Sequence, residues 1–506
     1  CDKGRWAFQY TMAKDRIANP LIRENGQLRE ASWPEALAVA AAGLKGKRAG
    51  VLVGGRSTVE DAYGYAKFAR VALNTNDIDF RSRPHSQEEA DFLAAHVVGS
   101  KVNYQDIDSA DHVVLVGFEP EEESPIVFLR IRKQVSKRAL EVTAITPYLS
   151  RGFKKLNAKA VLTAPGQEAT ALNGLSLTNK SIIISGERLA ESAGGLSAVA
   201  QLANKSGAKI AWVPRRAGER GAIEAGAIGN LLPGGRLVSD AAARVDLAAA
   251  WGVDSLPTEI GKSADQILAA ASAGQLEALV IGGVDPYDMQ QPSVNALEKA
   301  FVISLEMRPS AITEFADVIF PIAAVTEKSG SFMSWAGVSR SFEKAAPDAD
   351  HRSDAYVLSI LSDAMETPIN LTGAKAAAKE LKAVGSWDGT RATFTAIQTK
   401  NLQEGTILAT WRHLLDNGSL QFNEPNLAGT ARKNLARVSA KYANELGVKN
   451  GDLVTVSTDR GSLALPIEIS EMLDGVIWLP RNGVGAESLR ILGALNGDGV
   501  KVRKGI

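Results

Sequence analysis

Short runs of branched apolar residues that end in glycine recur along this chain. They are Ala49-Gly50-Val51-Leu52-Val53 before Gly54-Gly55, Asp111–Gly117, Ser181–Gly186 and Leu279–Gly283. Runs of similar length lie at 140–145, 209–213 and 301–305. They do not alternate apolar and polar residues, so they read as strands covered on both faces. A glycine exit and a helix-forming stretch follow most of them, as at 125–136, 196–203 and about 293–300. Strand–glycine–helix units of this kind build parallel, doubly wound α/β sheets. There are too many for one small sheet, and 506 residues is enough chain for three or four domains. Two doubly wound, Rossmann-like domains are expected, with ligands at the carboxyl ends of the strands where the glycine loops lie.

Local signals refine this. Trp33-Pro34-Glu35 opens a helix that runs to Leu44. Ser57-Thr58-Val59-Glu60 has capping-box spacing, and Tyr65, Phe68, Ala69 and Ala72 share the helical face behind it. The turn lacks a full G-x-G-x-x-G, which speaks against an NAD site there. Its glycines serve either close packing or phosphate contact. From 366 to 404 the pattern weakens to a linker with one helix. From 405 the period becomes two. Asp452–Ser457 turns through Asp459-Arg460-Gly461 into Leu463–Ile469, and Gly475–Pro480 is a further strand, which predicts a C-terminal β-barrel.

Charge and composition exclude several functions. Lys+Arg and Asp+Glu are both 57, so no basic excess marks a general nucleic-acid binder. No run of 18 apolar residues predicts a spanning helix. The single cysteine builds neither a disulfide framework nor a complete cysteine cluster. His85, His96, His112, His351 and His413 show no zinc spacing. Gly54-Gly55-Arg56-Ser57 is not a hydrolase elbow. Glu119 to Glu123 reads as a solvated acidic loop rather than a metal site. Arg215, Arg216 and Arg220, with Gly218 and Gly221, read as a solvated loop or subunit contact, with a pyrophosphate cradle as the alternative.

The cysteine is the first residue, and three readings compete. A lipid-bearing Cys1 would precede a polar tether, yet Trp6, Phe8 and Tyr10 look packed. An inert thiol is the second reading. The third is the last ligand of an iron–sulfur cluster whose other ligands lie upstream. Thiolates are the preferred ligands of such clusters, and Lys3 and Arg5 favour the anionic thiol.

Separated motifs then coincide. Cys1-Asp2-Lys3-Gly4-Arg5 is the first. Val116-Gly117-Phe118-Glu119-Pro120 pairs with Gly282-Gly283-Val284-Asp285-Pro286. Ala316-Asp317-Val318-Ile319-Phe320-Pro321 precedes Thr326-Glu327-Lys328-Ser329-Gly330. Leu446–Asp452 and Leu479-Pro480 close the set. In this order they resemble the molybdopterin oxidoreductase superfamily over nearly the whole chain. Cys1–Trp6, Asn76–Arg81 and Arg83-Pro84-His85-Ser86 look most similar to the large iron–sulfur subunits of bacterial NADH–quinone oxidoreductases (complex I).

The resemblance implies an organisation. Residues 1–24 end an iron–sulfur segment. Residues 25–80 with 275–365 form a split first α/β domain, and 81–274 a second one inserted in it. Residues 366–404 are the linker, and 405–506 a barrel like those that bind molybdopterin dinucleotides. It implies that Cys1 supplies one ligand to a [4Fe-4S] cluster and that Gly117, Glu119, Gly282 and Asp285 sit on former pterin loops. It implies no catalytic residue in this chain. Electrons would pass from NADH to quinone, coupled to proton translocation, with NADH and quinone held by other subunits. The partners would be other subunits of the peripheral arm, on the cytoplasmic side of a bacterial membrane, with no nucleic acid.

Departures from the pattern matter as much. Active molybdenum enzymes offer a Cys, selenocysteine or Ser near His85-Ser86. Here Ser86 reads as a helix N-cap before Glu88-Glu89. The Asn-x-Glu-Gly-Arg stretch of the pterin pocket corresponds to Ser334-Trp335-Ala336-Gly337-Val338, which keeps only the glycine. Losing a carboxylate and a guanidinium removes charge-assisted bonds to a large polar cofactor. The expectation is a relic pocket, partly filled by protein, with molybdopterin absent and the α/β body acting as scaffold. Lys3 matches a lysine between cluster and pterin, and reads here as tuning the cluster's charge or as a surface cation. The rivals are an active molybdopterin oxidoreductase, formate dehydrogenase- or nitrate reductase-like, and an assembly surface with Cys1 unligated.

Overall fold

The computed structural model describes residues 1–138, 140–289, 294–399 and 405–505. The first sheet has seven strands. Their order is Gln27–Glu30, Leu21–Glu24, Val318–Pro321, Phe301–Glu306, Ala278–Gly282, Ala49–Val53 and Ile78–Asp79. The last five are parallel. The first two form an antiparallel hairpin that turns at Asn25 and Gly26, both with positive φ. Sequence reading saw the turn but not that its arms cap a sheet edge, because partners about 300 residues away leave no local signal.

The helix Trp33–Leu44 starts where Ser32 accepts a hydrogen bond from the Glu35 amide. The helix Val59–Val71 starts one residue later than the capping-box spacing suggests. Thr58, not Ser57, caps it by accepting from the Asp61 amide. Glu60 is freed from the cap and accepts instead from the Ser331 amide and hydroxyl.

The second sheet is fully parallel. Its order is Lys159–Leu162, Glu141–Thr146, His112–Val116, Ser181–Gly186 and Lys209–Val213. Its inner strands are buried along nearly their whole length, as unbroken apolar runs require. All five come from one stretch of chain, whereas the first sheet draws its strands from both sides of that stretch.

The C-terminal part is a closed six-stranded barrel. Its order is Thr406–Trp411, Val476–Pro480, Ala436–Val438, Ser462–Ile469, Leu453–Ser457 and Gly499–Lys504. Leu453–Ser457 buries alternate residues, the period-two signature. Two strands, Thr406–Trp411 and Val476–Pro480, are buried on both faces. Leu408, Ile477 and Leu479 fill the barrel, while Trp411 and Trp478 point outward. Trp411 stacks on Tyr148, in the loop after the strand Glu141–Thr146 of the second α/β sheet, with ring centroids 4.9 Å apart. This outer aromatic face fixes the barrel to the body. In the sequence between the two, the helix Ala374–Val384 packs on the body helix Val59–Val71, where Glu380 accepts from Tyr63 and Lys67. Residues 400–404, the end of the expected linker, lie outside the described residues.

The N-terminal segment corrects one expectation. Trp6 and Phe8 are 51% and 38% exposed rather than packed. Among the described residues no helix is long and apolar enough to cross a membrane.

Candidate functional site: a crevice closed by ion pairs

The carboxyl ends of both sheets face a crevice over which the barrel lies. The glycine turns that open onto it serve close packing. The Gly54 amide donates to the Gly282 carbonyl at 2.7 Å. A Cβ at Gly54 would stand 2.3 Å from the Gly283 carbonyl, and one at Gly282 only 1.7 Å from the Tyr65 hydroxyl. Gly117 needs its positive φ of 57° and abuts Leu189. Asp285 is exposed and caps the turn Pro286–Asp288 by accepting from the Tyr287 amide.

The acidic run is not a solvated loop. Glu119, Glu122 and Glu123 are all buried. Ser150 donates to Glu119, and Glu123 accepts from the Glu119 amide and from Arg188. Glu122 pairs with Arg432 at 2.6 Å and accepts from the Leu414 amide, both from the barrel part of the chain. The barrel's arrival desolvates this run, which local sequence cannot reveal. Burial, with Glu122 and Glu123 nearby, pushes the Glu119 carboxyl up to about 8.

Nor is the arginine-rich loop solvated. Arg216 and Arg220 are buried, and Arg215 is nearly so. Arg215 pairs with Glu187 at 3.4 Å, and Arg220 pairs with Glu224. Arg216 reaches Asp288 at 2.9 Å, and Arg412 of the barrel grips the same carboxylate from the other side. Arg412 also pairs with Asp416 at 3.0 Å. Deeper in, Arg83 sits among Glu89, Glu219 and Glu187 at 2.9, 3.1 and 3.5 Å. On the far side Arg481 of the barrel pairs with Glu191 at 2.6 Å.

One small cavity lies at the edge of this network. The cavity beside Gly117, Phe118, Arg188, Glu191 and Asn496 measures about 20 Å³, space for roughly one water molecule. A pterin dinucleotide does not fit residues arranged this way. Most of the charges there, Arg56 aside, are paired with each other, and Ala336 and Val338 offer no replacement. Ser86 is committed as well. Its Oγ accepts from the Glu89 amide at 3.2 Å, the N-cap role expected of it. Next to it, burial and Arg81 push His85 down to about 4, so its ring is neutral.

Cys1 is an exposed thiol at the N-cap of the five-residue helix Asp2–Trp6. Among the described residues no group of three or more His, Cys, Asp or Glu side chains is arranged to hold a metal ion. One thiolate alone does not complete a cluster. Lys3 is not a surface cation. Its ammonium donates to the Leu414 carbonyl at 2.6 Å and reaches Asp416 at 3.4 Å. Burial pushes it down to about 8, and Arg215 and Arg56 add to the effect against the pull of Asp416. Burial opposes the ionisation of Asp416, but Arg412 and Lys3 still hold it well below the usual carboxylate range.

Sequence reasoning missed Arg83, Glu89, Glu191, Asp288, Arg412, Asp416 and Arg481. One signal was available. Arg412 and Arg481 directly follow apolar strands, where a strand end delivers side chains to the crevice.

Comparison with known proteins agrees with this architecture. A family model described as molybdopterin oxidoreductase matches residues 16–364. A second, described as a molydopterin dinucleotide binding domain, matches residues 407–489. Over its whole length the chain is 49% identical to the G subunit of the NADH-quinone oxidoreductase of Mycobacterium tuberculosis, covering 66% of that protein. Over 99% of its length it is 44% identical to the G subunit of the Streptomyces coelicolor enzyme, covering 65%. The chain thus spans about two thirds of the length of these relatives. It is 25% identical over 96% of its length to the alpha subunit of an F420-dependent formate dehydrogenase of Methanocaldococcus jannaschii, covering 89% of it. Acetylene hydratase from Pelobacter acetylenicus shares the fold, with a TM-score of 0.62 and 14% identity over 98% of this chain and 93% of that one.

Proposed function

The chain belongs to the molybdopterin oxidoreductase family, and from that premise we propose that it is the α/β-and-barrel part of the large iron–sulfur subunit of a respiratory NADH–quinone oxidoreductase. In this reading the body is a scaffold and carries no catalytic residue. Cys1 gives one thiolate to a [4Fe-4S] cluster, which supplies one-electron transfer between NADH and quinone sites on other subunits. Gly117, Glu119, Gly282 and Asp285 mark loops that once faced a pterin. The partners are other subunits of the peripheral arm, on the cytoplasmic side of the membrane, and electron flow is coupled to proton translocation.

One observation carries the proposal beyond similarity. The crevice that a pterin dinucleotide would occupy is bridged by ion pairs between body and barrel: Arg412–Asp288, Arg432–Glu122 and Arg481–Glu191. In this arrangement the side chains that line it are committed to each other. A cofactor entering here would have to displace these pairs.

Metal and pterin analysis of the full-length protein, purified within its complex, tests this. Iron in excess with neither molybdenum nor tungsten, and no pterin, is expected. Molybdenum or tungsten with pterin near one per chain would overturn it in favour of an active molybdopterin oxidoreductase. Replacing Cys1 by Ser in the intact protein should remove or alter one cluster spectrum. An unchanged spectrum would leave the domain as an assembly surface alone.

A further inference from the structure

The helix Pro125–Arg138 joins the strands His112–Val116 and Glu141–Thr146 of the second sheet, and its charge is lopsided. It carries Arg130, Arg132, Lys133, Lys137 and Arg138 and no carboxylate, in a chain whose cations and carboxylates balance at 57 each. The short helix Arg151–Lys155 adds Arg151, Lys154 and Lys155, again without a carboxylate. The two helices are neighbours, since the Lys155 ammonium lies 5.8 Å from the centre of the Phe128 ring.

Some of these charges are used inside the chain. Arg130 pairs with Asp108, Lys155 pairs with Glu121, and Arg138 donates to the Ala110 carbonyl at 2.6 Å. Lys137 and Arg138 also suit the carbonyl end of a helix. Arg132 and Lys133 have neither role. They are exposed in mid-helix, and among the described residues neither they nor Lys137 has a carboxylate within 4 Å.

The same ridge holds exposed apolar side chains. Ile126 is 57% exposed and Leu129 is 52% exposed. Residues three or four apart share a helix face, so Ile126, Leu129, Lys133 and Lys137 form one line with Arg132 beside it. A single exposed aliphatic residue is ordinary. Two in successive turns, continued by cations without an internal partner, have the anatomy of an interface, an apolar centre with a charged rim. That anatomy also says what covers it. A helix lying on a membrane turns its whole apolar side to the lipid. Here that side, Val127, Phe128 and Ile131, is buried against the sheet. What stays outside is an apolar point near the amino end and positive charge along the rest, which suits a folded acidic surface better than a lipid layer.

We propose that the ridge at 126–137 docks an acidic protein, a neighbouring subunit that offers an apolar pocket to Ile126 and Leu129 and carboxylates to Arg132, Lys133 and Lys137. The inference rests on the complex I reading only in that the chain works inside an assembly. It assigns a contact and no chemistry.

The test replaces Leu129 by the photo-crosslinking residue p-benzoylphenylalanine in the full-length protein within its purified complex. Irradiation should join it to one protein of that complex, and mass spectrometry should place the cross-link in a segment with clustered Asp or Glu. Arg132→Glu with Lys133→Glu puts like charge against the partner and should cut the yield about tenfold. Arg132→Lys with Lys133→Arg keeps the charge and should stay near the parent yield. Loss of this chain from the complex in the glutamate variant, but not in the conservative one, counts as the same result. Cross-links to phospholipid alone, or to a protein segment without carboxylates, overturn the proposal. So does a yield that ignores the charge reversal. A chain that purifies with no other protein refutes the function proposed above and this inference together. A complex whose other proteins all lie out of reach of residue 129 refutes only this inference.

Discussion

Glu119 offers the sharpest check on the closed crevice. The residue is 1% exposed, sits beside Glu122 and Glu123, and has its carboxyl pushed from 4.5 up to about 8. Between those two values the folded protein keeps a proton that the unfolded chain has released. The unfolded state binds fewer protons there, so stability falls as pH rises through the window. The contribution is intact below about pH 4.5 and fully lost above about pH 8. At about 1.4 kcal/mol per pH unit, the loss is roughly 3–5 kcal/mol at alkaline pH. Glu119→Gln cannot ionise, yet keeps a carbonyl oxygen to accept from Ser150 or the Glu121 amide. Thermal melts at pH 5, 6.5 and 8.5 should show parent and variant nearly equal at the lowest pH. The variant should then pull ahead, by several degrees at pH 8.5. A variant no more stable than the parent at pH 8.5 would refute the argument. So would a gain that does not grow with pH, since that would reflect packing and not ionisation.

Three further outcomes follow from the same geometry. Arg83→Met should destabilise the fold by about 3–5 kcal/mol in chemical denaturation, because Glu89 and Glu219 are left buried without their cation; a loss under 1 kcal/mol would contradict the buried network. Gly282→Ala should give little folded protein, since its Cβ falls 1.7 Å from the Tyr65 hydroxyl, and Tyr65→Phe in the same chain should recover part of the yield. Ser86→Ala should cost about 1 kcal/mol as a lost N-cap and leave the metal content of the intact complex unchanged; loss of a metal would make Ser86 a ligand.

Much of the fold was legible because its signals are local. An unbroken apolar run such as Ser181–Gly186 cannot be an exposed strand, and Leu453–Ser457 alternates as a barrel strand must. The Ser86 cap was readable for the same reason. The site was harder, because charge pairing is decided across the fold. Glu119 to Glu123 has the composition of a solvated loop and becomes buried only when residues from 412 onward lie over it. Lys3 looks like a surface cation until Asp416 closes on it. The one-residue error at Thr58 had the same origin, since Glu60 is claimed by Ser331 rather than by the helix start. Sequence spacing lists the possible partners of a charge, and the tertiary fold chooses among them.

The split first sheet also sets an order of events during synthesis. Ala49–Val53 pairs with Ala278–Gly282, so the earlier strand leaves the ribosome with its central partner still about 225 residues away. At ~5–20 residues per second that is a wait of about 11–45 s. The second sheet needs only residues 112–213 and can close within that interval, while the N-terminal strands keep open edges prone to wrong pairing. The helix that carries Cys1 emerges before all of these strands and is secured last. The groups that hold Lys3, the Leu414 carbonyl and the Asp416 carboxylate, are made more than 400 residues later. A cluster that depends on Cys1 would therefore find its final electrostatic surroundings only after the barrel has been translated.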